Sequence, residues 1–152
     1  MKRTLKTWMA ALICTIALGF NTTAAQADNE RPIEISQLPA AARTVVQRNF
    51  ASHKVALAKV ESGLIEKSYD VIFTNGDKIE FDRRGNWSEI SCKNSGVPAA
   101  LVPARIASYV KSNYAGARIT KIERGNKGYE IELSNGFEIT FDTKLRVTDI
   151  DR

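Results

Sequence analysis

The second half of the chain restates the first about sixty residues later, and this constrains the fold more than any single residue does. Tyr69-Asp70-Val71-Ile72-Phe73, Asn75-Gly76 and Ile79-Glu80-Phe81-Asp82 return as Tyr129-Glu130-Ile131-Glu132-Leu133, Asn135-Gly136 and Ile139-Thr140-Phe141-Asp142. A chain built this way folds as two related units, each leaning on the other for part of its core.

The first residues read as an address. Lys2, Arg3 and Lys6 precede the apolar run Ala10 to Leu18, and Ala25-Gln26-Ala27 follows, the layout of a secretory signal with an A-x-A cleavage site. Cleavage is expected after Ala27. The apolar run is shorter than the roughly 20 residues that span a bilayer and ends in Asn21-Thr22-Thr23. The expected location is therefore periplasmic or secreted, with no membrane span once the signal is gone.

Removing residues 1–27 takes away Lys2, Arg3 and Lys6 but no acid, so 22 bases fall to 19 against 17 acids. The excess, about +2, is scattered rather than clustered, which argues against a nucleic-acid partner. The 125 residues that follow, of 152 in all, are enough for a hydrophobic core without metals or disulfide staples. Cys14 leaves with the signal and Cys92 stands alone, so no intramolecular disulfide forms. Cys92 reads either as a part-buried small hydrophobe at the unit junction or as a thiol able to pair with another chain.

Each unit begins with a helical stripe. Leu38, Ala42, Val45, Val46 and Phe50 share one face of a helix over 38–50, with Ser36 as candidate N-cap; Val102, Ile106, Tyr109, Val110 and Tyr114 do the same over 102–114. A short strand follows at Lys59-Val60-Glu61 and at Lys121-Ile122-Glu123. Then comes a hairpin whose arms alternate with a period of two around Asn-Gly, where positive φ angles are expected. Closing strands follow at Trp87-Ser88-Glu89-Ile90 and Arg146 to Ile150, and Ser91 to Pro98 forms the connector. The expected fold class is α+β: two tandem units of a helix plus about four antiparallel strands, both helices on one face of a single sheet and the other face solvated. The domains are 1–27 signal, 28–35 N-terminal extension, 36–92 first repeat and 93–152 second repeat.

Two helices opened by Leu-Pro or Val-Pro, each followed by Tyr-x-Val/Ile-x-Phe/Leu, Asn-Gly and Ile-x-Phe-Asp, with Gly85-x-Trp87 closing the first copy, resemble the PepSY-like proteins secreted by gut Bacteroidetes. The resemblance spans roughly residues 36–150. It implies a fold like that of β-lactamase inhibitory protein, with kinship to the PepSY domains of peptidase propeptides, and it brings no enzymatic activity with it. The second copy departs from the pattern where Arg146-Val147 replaces the Gly85-x-Trp87 ending.

Alternation assigns the faces. With Tyr69, Val71, Ile79, Phe81, Tyr129, Ile131, Leu133, Ile139 and Phe141 turned to the helices, the solvated face presents Asp70, Ile72, Lys78, Glu80, Glu130, Glu132, Glu138 and Thr140, joined by Trp87 and Glu89. These ten residues form the candidate partner-binding face, with Trp87 and Ile72 as apolar anchors. A divalent cation held by Glu130, Glu132 and Glu138 is a weaker reading, because no spaced acidic loop accompanies them. No Ser/His/Asp or Cys/His set, H-E-x-x-H, G-x-S-x-G or phosphate-cradling loop is present, and His53 lies in a polar stretch. No enzyme, cofactor or metal is expected. The function expected is a non-catalytic binding module for a protein partner of the cell envelope, possible inhibition of a peptidase included; the alternative is a groove beside the sheet for a peptide, a cell-wall fragment or another small ligand.

Overall fold

A computed structural model describes residues 29–63 and 66–152; the expected signal sequence lies outside them. The strands are β1 (Asn29–Pro32), β2 (Val55–Ser62), β3 (Lys67–Phe73), β4 (Lys78–Asp82), β5 (Trp87–Ser91), β6 (Ile119–Gly125), β7 (Gly128–Leu133), β8 (Glu138–Phe141) and β9 (Val147–Asp151). Helix α1 (Ala40–Asn49) precedes β2 and helix α2 (Ala104–Asn113) precedes β6. Among the described residues these nine strands form one antiparallel sheet in sequence order. The architecture is thus α+β, with one strand more than expected: β1, in the segment read as an extension, pairs along β2 from Asn29↔Ser62 to Pro32↔Lys59.

Local chemistry sets the ends of the elements. Each helix starts one residue after a proline, because Leu38-Pro39 and Val102-Pro103 are held extended and the ring fixes the entry angle. Ser36 is not the N-cap: it lies in a 3-10 turn over Ile35–Gln37, and its carbonyl accepts from Arg43 Nη1 at 2.7 Å. Both expected hairpins form around Asn-Gly, but only Gly76 and Gly136, each at φ 88°, take the left-handed conformation. Gly76 N–H donates to the Phe73 carbonyl at 3.0 Å and Phe73 N–H to Asp77 at 2.9 Å, a three-residue turn that ends in a glycine bulge. Gly85 (φ 85°) is required for a second reason: a Cβ there would stand 2.7 Å from Pro39 Cβ and 2.9 Å from the Ala42 nitrogen, where α1 rests on the β4–β5 turn.

The core lies between the helices and one sheet face. A single row crosses the sheet as Ala58, Val71, Ile79, Ile90, Ile122, Ile131, Ile139 and Ile150, each directly opposite the next. From Val71 to Ile139 every member is fully buried. Both helices press on this face. Phe50, capping α1, stacks on Phe73 at 5.1 Å, and Tyr109 of α2 meets Phe141 edge-on at 5.6 Å. Buried Ala42, Val46, Ile106 and Val110 complete the contact.

Trp87 belongs to this core and not to the outer face. On β4 and β5, Glu80 pairs Glu89 but Phe81 pairs Trp87, so Ser88 is an extra residue that reverses the alternation. Trp87 is consequently 8% exposed, its ring beneath the Arg124 guanidinium at 4.3 Å, while Arg124 Nε donates to the Trp87 carbonyl at 2.6 Å. The same bulge recurs at Thr148, where Thr140 pairs Asp149 and Phe141 pairs Val147. Trp87→Ala is therefore expected to cost about 3–5 kcal/mol, a fall of roughly 10–20 °C in Tm. Thermal unfolding followed by circular dichroism checks this; an unchanged Tm would return Trp87 to the surface.

Candidate functional site

The outer sheet face carries two parallel rows. One runs Lys59, Asp70, Glu80, Glu89, Glu123, Glu130, Thr140 and Asp149, and the other Ile72, Lys78, Ser91, Lys121, Glu132, Glu138 and Asp151. Nine of the ten candidate residues therefore stand together, and Trp87 alone does not. Leu57, opposite Ile72 and 38% exposed, supplies the apolar neighbour that Trp87 does not provide. Sequence reasoning missed Leu57, Lys59, Lys121 and Glu123, although the two-residue period, carried outward from Val60 and Ile122, would have placed the last three.

Lysines hold the carboxylates together. Asp70, 5% exposed, lies between Lys59 Nζ at 3.4 Å and Lys78 Nζ at 3.2 Å. Lys59 also reaches Glu30 at 2.7 Å, which ties β1 to the face. Lys121 sits among Glu89 at 3.4 Å, Glu123 at 3.7 Å and Glu132 at 3.8 Å. Burial pushes the Lys78 ammonium toward its neutral form, but the hydrogen bond it donates to Glu80 and the charge of Asp70 more than reverse this and hold it at about 12. Burial, opposed by Lys121 and assisted by the charge of Glu80, raises the Glu89 carboxyl. With carboxylates outnumbering lysines, the face is strongly acidic. Among the described residues, however, no group of three or more His, Cys, Asp or Glu side chains is arranged to hold a metal ion.

Beneath the β3–β4 turn the fold assembles a polar cluster the sequence did not reveal. Asp77, 1% exposed, accepts from Asn75 Nδ2 at 2.9 Å and Ser95 Oγ at 2.8 Å, with His53 Nε2 at 3.4 Å. Ser52 Oγ lies 3.4 Å from His53 Nδ1, so Ser52, His53 and Asp77 form a string. Both contacts exceed the 2.6–3.2 Å reach of a nucleophile and its base, and the carboxyl group is already engaged by two turns. Cys92 is fully buried, and burial and the adjacent Asp77 charge push its thiol up to about 12, away from the thiolate form. The cluster joins the α1–β2 loop, the β3–β4 turn and the connector.

A depression lined by Ile35, Ser36, Ala40, Arg43, Thr44 and Gln47 lies along α1, on the helix layer rather than beside the outer face. Its Arg43 donates to the Ser36 carbonyl and its Thr44 hydroxyl to the Ala40 carbonyl, so these donors serve the local fold.

Two outcomes follow from the electrostatics. The Lys78 ammonium is held more tightly folded than unfolded, so its contribution to stability is complete below pH 10.5 and is lost as pH rises toward 12. Lys78→Gln should make the fall of Tm across that alkaline window shallower than in the wild type, and identical slopes would contradict the assignment. Cys92 should resist alkylation at pH 8 in the folded protein and react at the rate of a free thiol once unfolded in guanidinium, as thiol counting on the two states would record.

No helix among the described residues is long and apolar enough to cross a membrane. Residues 67–149 match the family described as "Putative beta-lactamase-inhibitor-like, PepSY-like". Among solved structures, a protein of Bacteroides vulgatus described as a putative periplasmic protein is 52% identical, with TM-score 0.80 over 83% of this chain and 99% of its own. A Bacteroides thetaiotaomicron protein described as a putative calcium-regulated periplasmic protein is 50% identical, with TM-score 0.81 over the same shares. A second B. vulgatus protein, described as a putative periplasmic protein of unknown function, is 39% identical, with TM-score 0.76 over 81% of this chain and 99% of its own. Among curated proteins no relative matches. The chain belongs to the PepSY-like, beta-lactamase-inhibitor-like family.

Proposed function

We propose that this chain is a tandem pair of PepSY-like units that works in the periplasm, after removal of its signal sequence, as a non-catalytic module binding a protein partner through the outer face of its sheet. The observation that carries this reading is that, among the described residues, helices cover one face of the nine-stranded sheet, while the other presents two mainly charged rows, interrupted at Thr140 and Ser91, with the Leu57–Ile72 apolar spot at one end. A broad, patterned sheet surface of this kind suits macromolecular docking, and its charge favours a partner with a basic surface. The periplasmic descriptions of the Bacteroides relatives support the location. The inaccessible neutral thiol of Cys92 and the engaged carboxyl group of Asp77 support a role without catalysis. Small-ligand binding is the less favoured reading, since in the depression along α1 Arg43 and the Thr44 hydroxyl are already taken up by the Ser36 and Ala40 carbonyls.

The test is a crosslinked pull-down from envelope extracts with three baits starting at Asp28: wild type, the face variant Ile72→Glu/Glu132→Lys, and the helix-layer variant Arg43→Glu. A partner enriched by wild type and Arg43→Glu, and recovered at least tenfold less by the face variant, is the expected result. Equal recovery by the face variant would reject the outer face as the docking surface. Repeating the pull-down with calcium and with a chelator asks whether the regulation named for the B. thetaiotaomicron relative extends to this protein.

A further inference from the structure

Strand β9 is built as a copy of β5, but it stands at the edge of the sheet. Ile139↔Ile150, Thr140↔Asp149 and Phe141↔Val147 repeat Ile79↔Ile90, Glu80↔Glu89 and Phe81↔Trp87, including the bulge. The other edge of β5 is occupied by β6 through Glu89↔Glu123, Ile90↔Ile122 and Ser91↔Lys121, and there Ile90 is fully buried. Among the described residues nothing pairs with the corresponding edge of β9, and Ile150 is 46% exposed. Its backbone direction follows from β5. Cys92 N–H donates across to the Thr120 carbonyl, so by the two-residue period Ile90 also faces β6, and Ile150 turns its N–H and C=O outward.

We infer that the free edge of β9 accepts an added antiparallel strand from a partner protein, an extended segment of the pattern Lys–branched apolar residue–Glu. Such a segment repeats Lys121-Ile122-Glu123 of β6 and places the apolar residue opposite Ile150 and the lysine opposite Asp151. The acidic edge selects the lysine of this pattern; the glutamate it places opposite Asp149 meets a like charge as Glu123 meets Glu89, with the lysine alongside to offset it. The lysine of the incoming strand would stand between Asp151 and Asp149 as Lys121 stands between its partners, reaching Glu89 at 3.4 Å. A second copy is disfavoured: antiparallel pairing of β9 with itself about Ile150 sets Asp149 against Asp151 of the other copy, and β9 has no lysine to offset the repulsion as Lys121 does between Glu89 and Glu123. Pairing with Lys59-Val60-Glu61 of a second copy requires removal of β1, which covers that edge and is tied by Glu30 to Lys59. Edge strands are ordinarily guarded by such charges, and in strand addition the main-chain hydrogen bonds give affinity while alternate side chains give specificity. This inference uses the sheet edge alone and stands or falls independently of the outer face.

The probe is a capped synthetic peptide with the sequence of residues 117–125, titrated into the chain starting at Asp28 and followed by backbone amide shifts in NMR. Saturable shifts concentrated over Val147–Arg152 are expected. Two changes should weaken binding at least tenfold: N-methylation of the peptide nitrogen equivalent to Ile122, which leaves the protein untouched, and Ile150→Pro, which removes the outward donor. No saturable shift, or binding indifferent to N-methylation, would overturn the proposal. Concentration-dependent self-association abolished by Ile150→Pro would overturn the choice of occupant in favour of a second copy.

Discussion

Everything else in the structure depends on Ile90 facing Ile122. The five-stranded half and the four-stranded half each have one helix and one apolar face, and each alone would leave a sheet edge through its core. The β5–β6 pairing removes that edge, and the isoleucine pair extends the buried row of one half into the other without a gap. Three successive backbone pairs fix the register there, so a slip by one residue would turn Ile122 outward and bring Lys121 into the core. The connector enforces the same register from behind: Cys92 N–H donates to the Thr120 carbonyl at 2.7 Å and Val97 N–H to Ile119 at 2.8 Å.

The outer face follows from that register. Joining the halves in line aligns their charged positions into continuous rows, and like charges then meet across the seam, as Glu89 does Glu123. Directly opposed carboxylates repel, and Lys121, one position along, offsets this by reaching both. Lys59 and Lys78 do the same for Asp70 in the first half. The acidic character of the face is thus compatible with stability because each lysine serves several carboxylates.

Much of this was legible in the sequence because a two-residue period and an Asn-Gly turn are local signals. Tyr69, Val71, Ile79 and Phe81 were assigned to the core, and Ile72, Lys78 and Glu80 to the outer face, by alternation alone, and the pairings agree. Alternation fails where a bulge inserts a residue, and Ser88 is such a case: nothing about Trp-Ser-Glu distinguishes a bulged strand from a regular one, so alternation alone places Trp87 on the outer face. The helix starts were misplaced because proline's restriction on the preceding residue outweighed the capping preference of Ser36. The contact between His53 and Asp77, and the reach of Lys59 to Glu30, join residues far apart in the chain and have no signature short of the fold itself.

The two halves differ where their surroundings differ. Asp77 follows the first Asn-Gly turn and Phe137 the second, at matching positions of matching hairpins. A buried carboxyl group is costly unless its oxygens are satisfied, and Asp77 is tolerated because it has work at the joint, gathering Asn75 from its own turn, Ser95 from the connector and His53 from the loop after α1. Phe137 keeps the turn asparagine, Asn135, but Ala117 stands where the first half has His53. Phe137 packs against Tyr114 at 5.1 Å and lies under the Arg152 guanidinium at 5.2 Å, an apolar closure where the first half uses a polar one. Exchanging the two residues would leave a carboxyl group among aromatic rings in one half and unpaired hydroxyl and amide donors in the other. The identity of the residue after each turn is therefore set by what the neighbouring segments bring to it, and not by the hairpin that carries it.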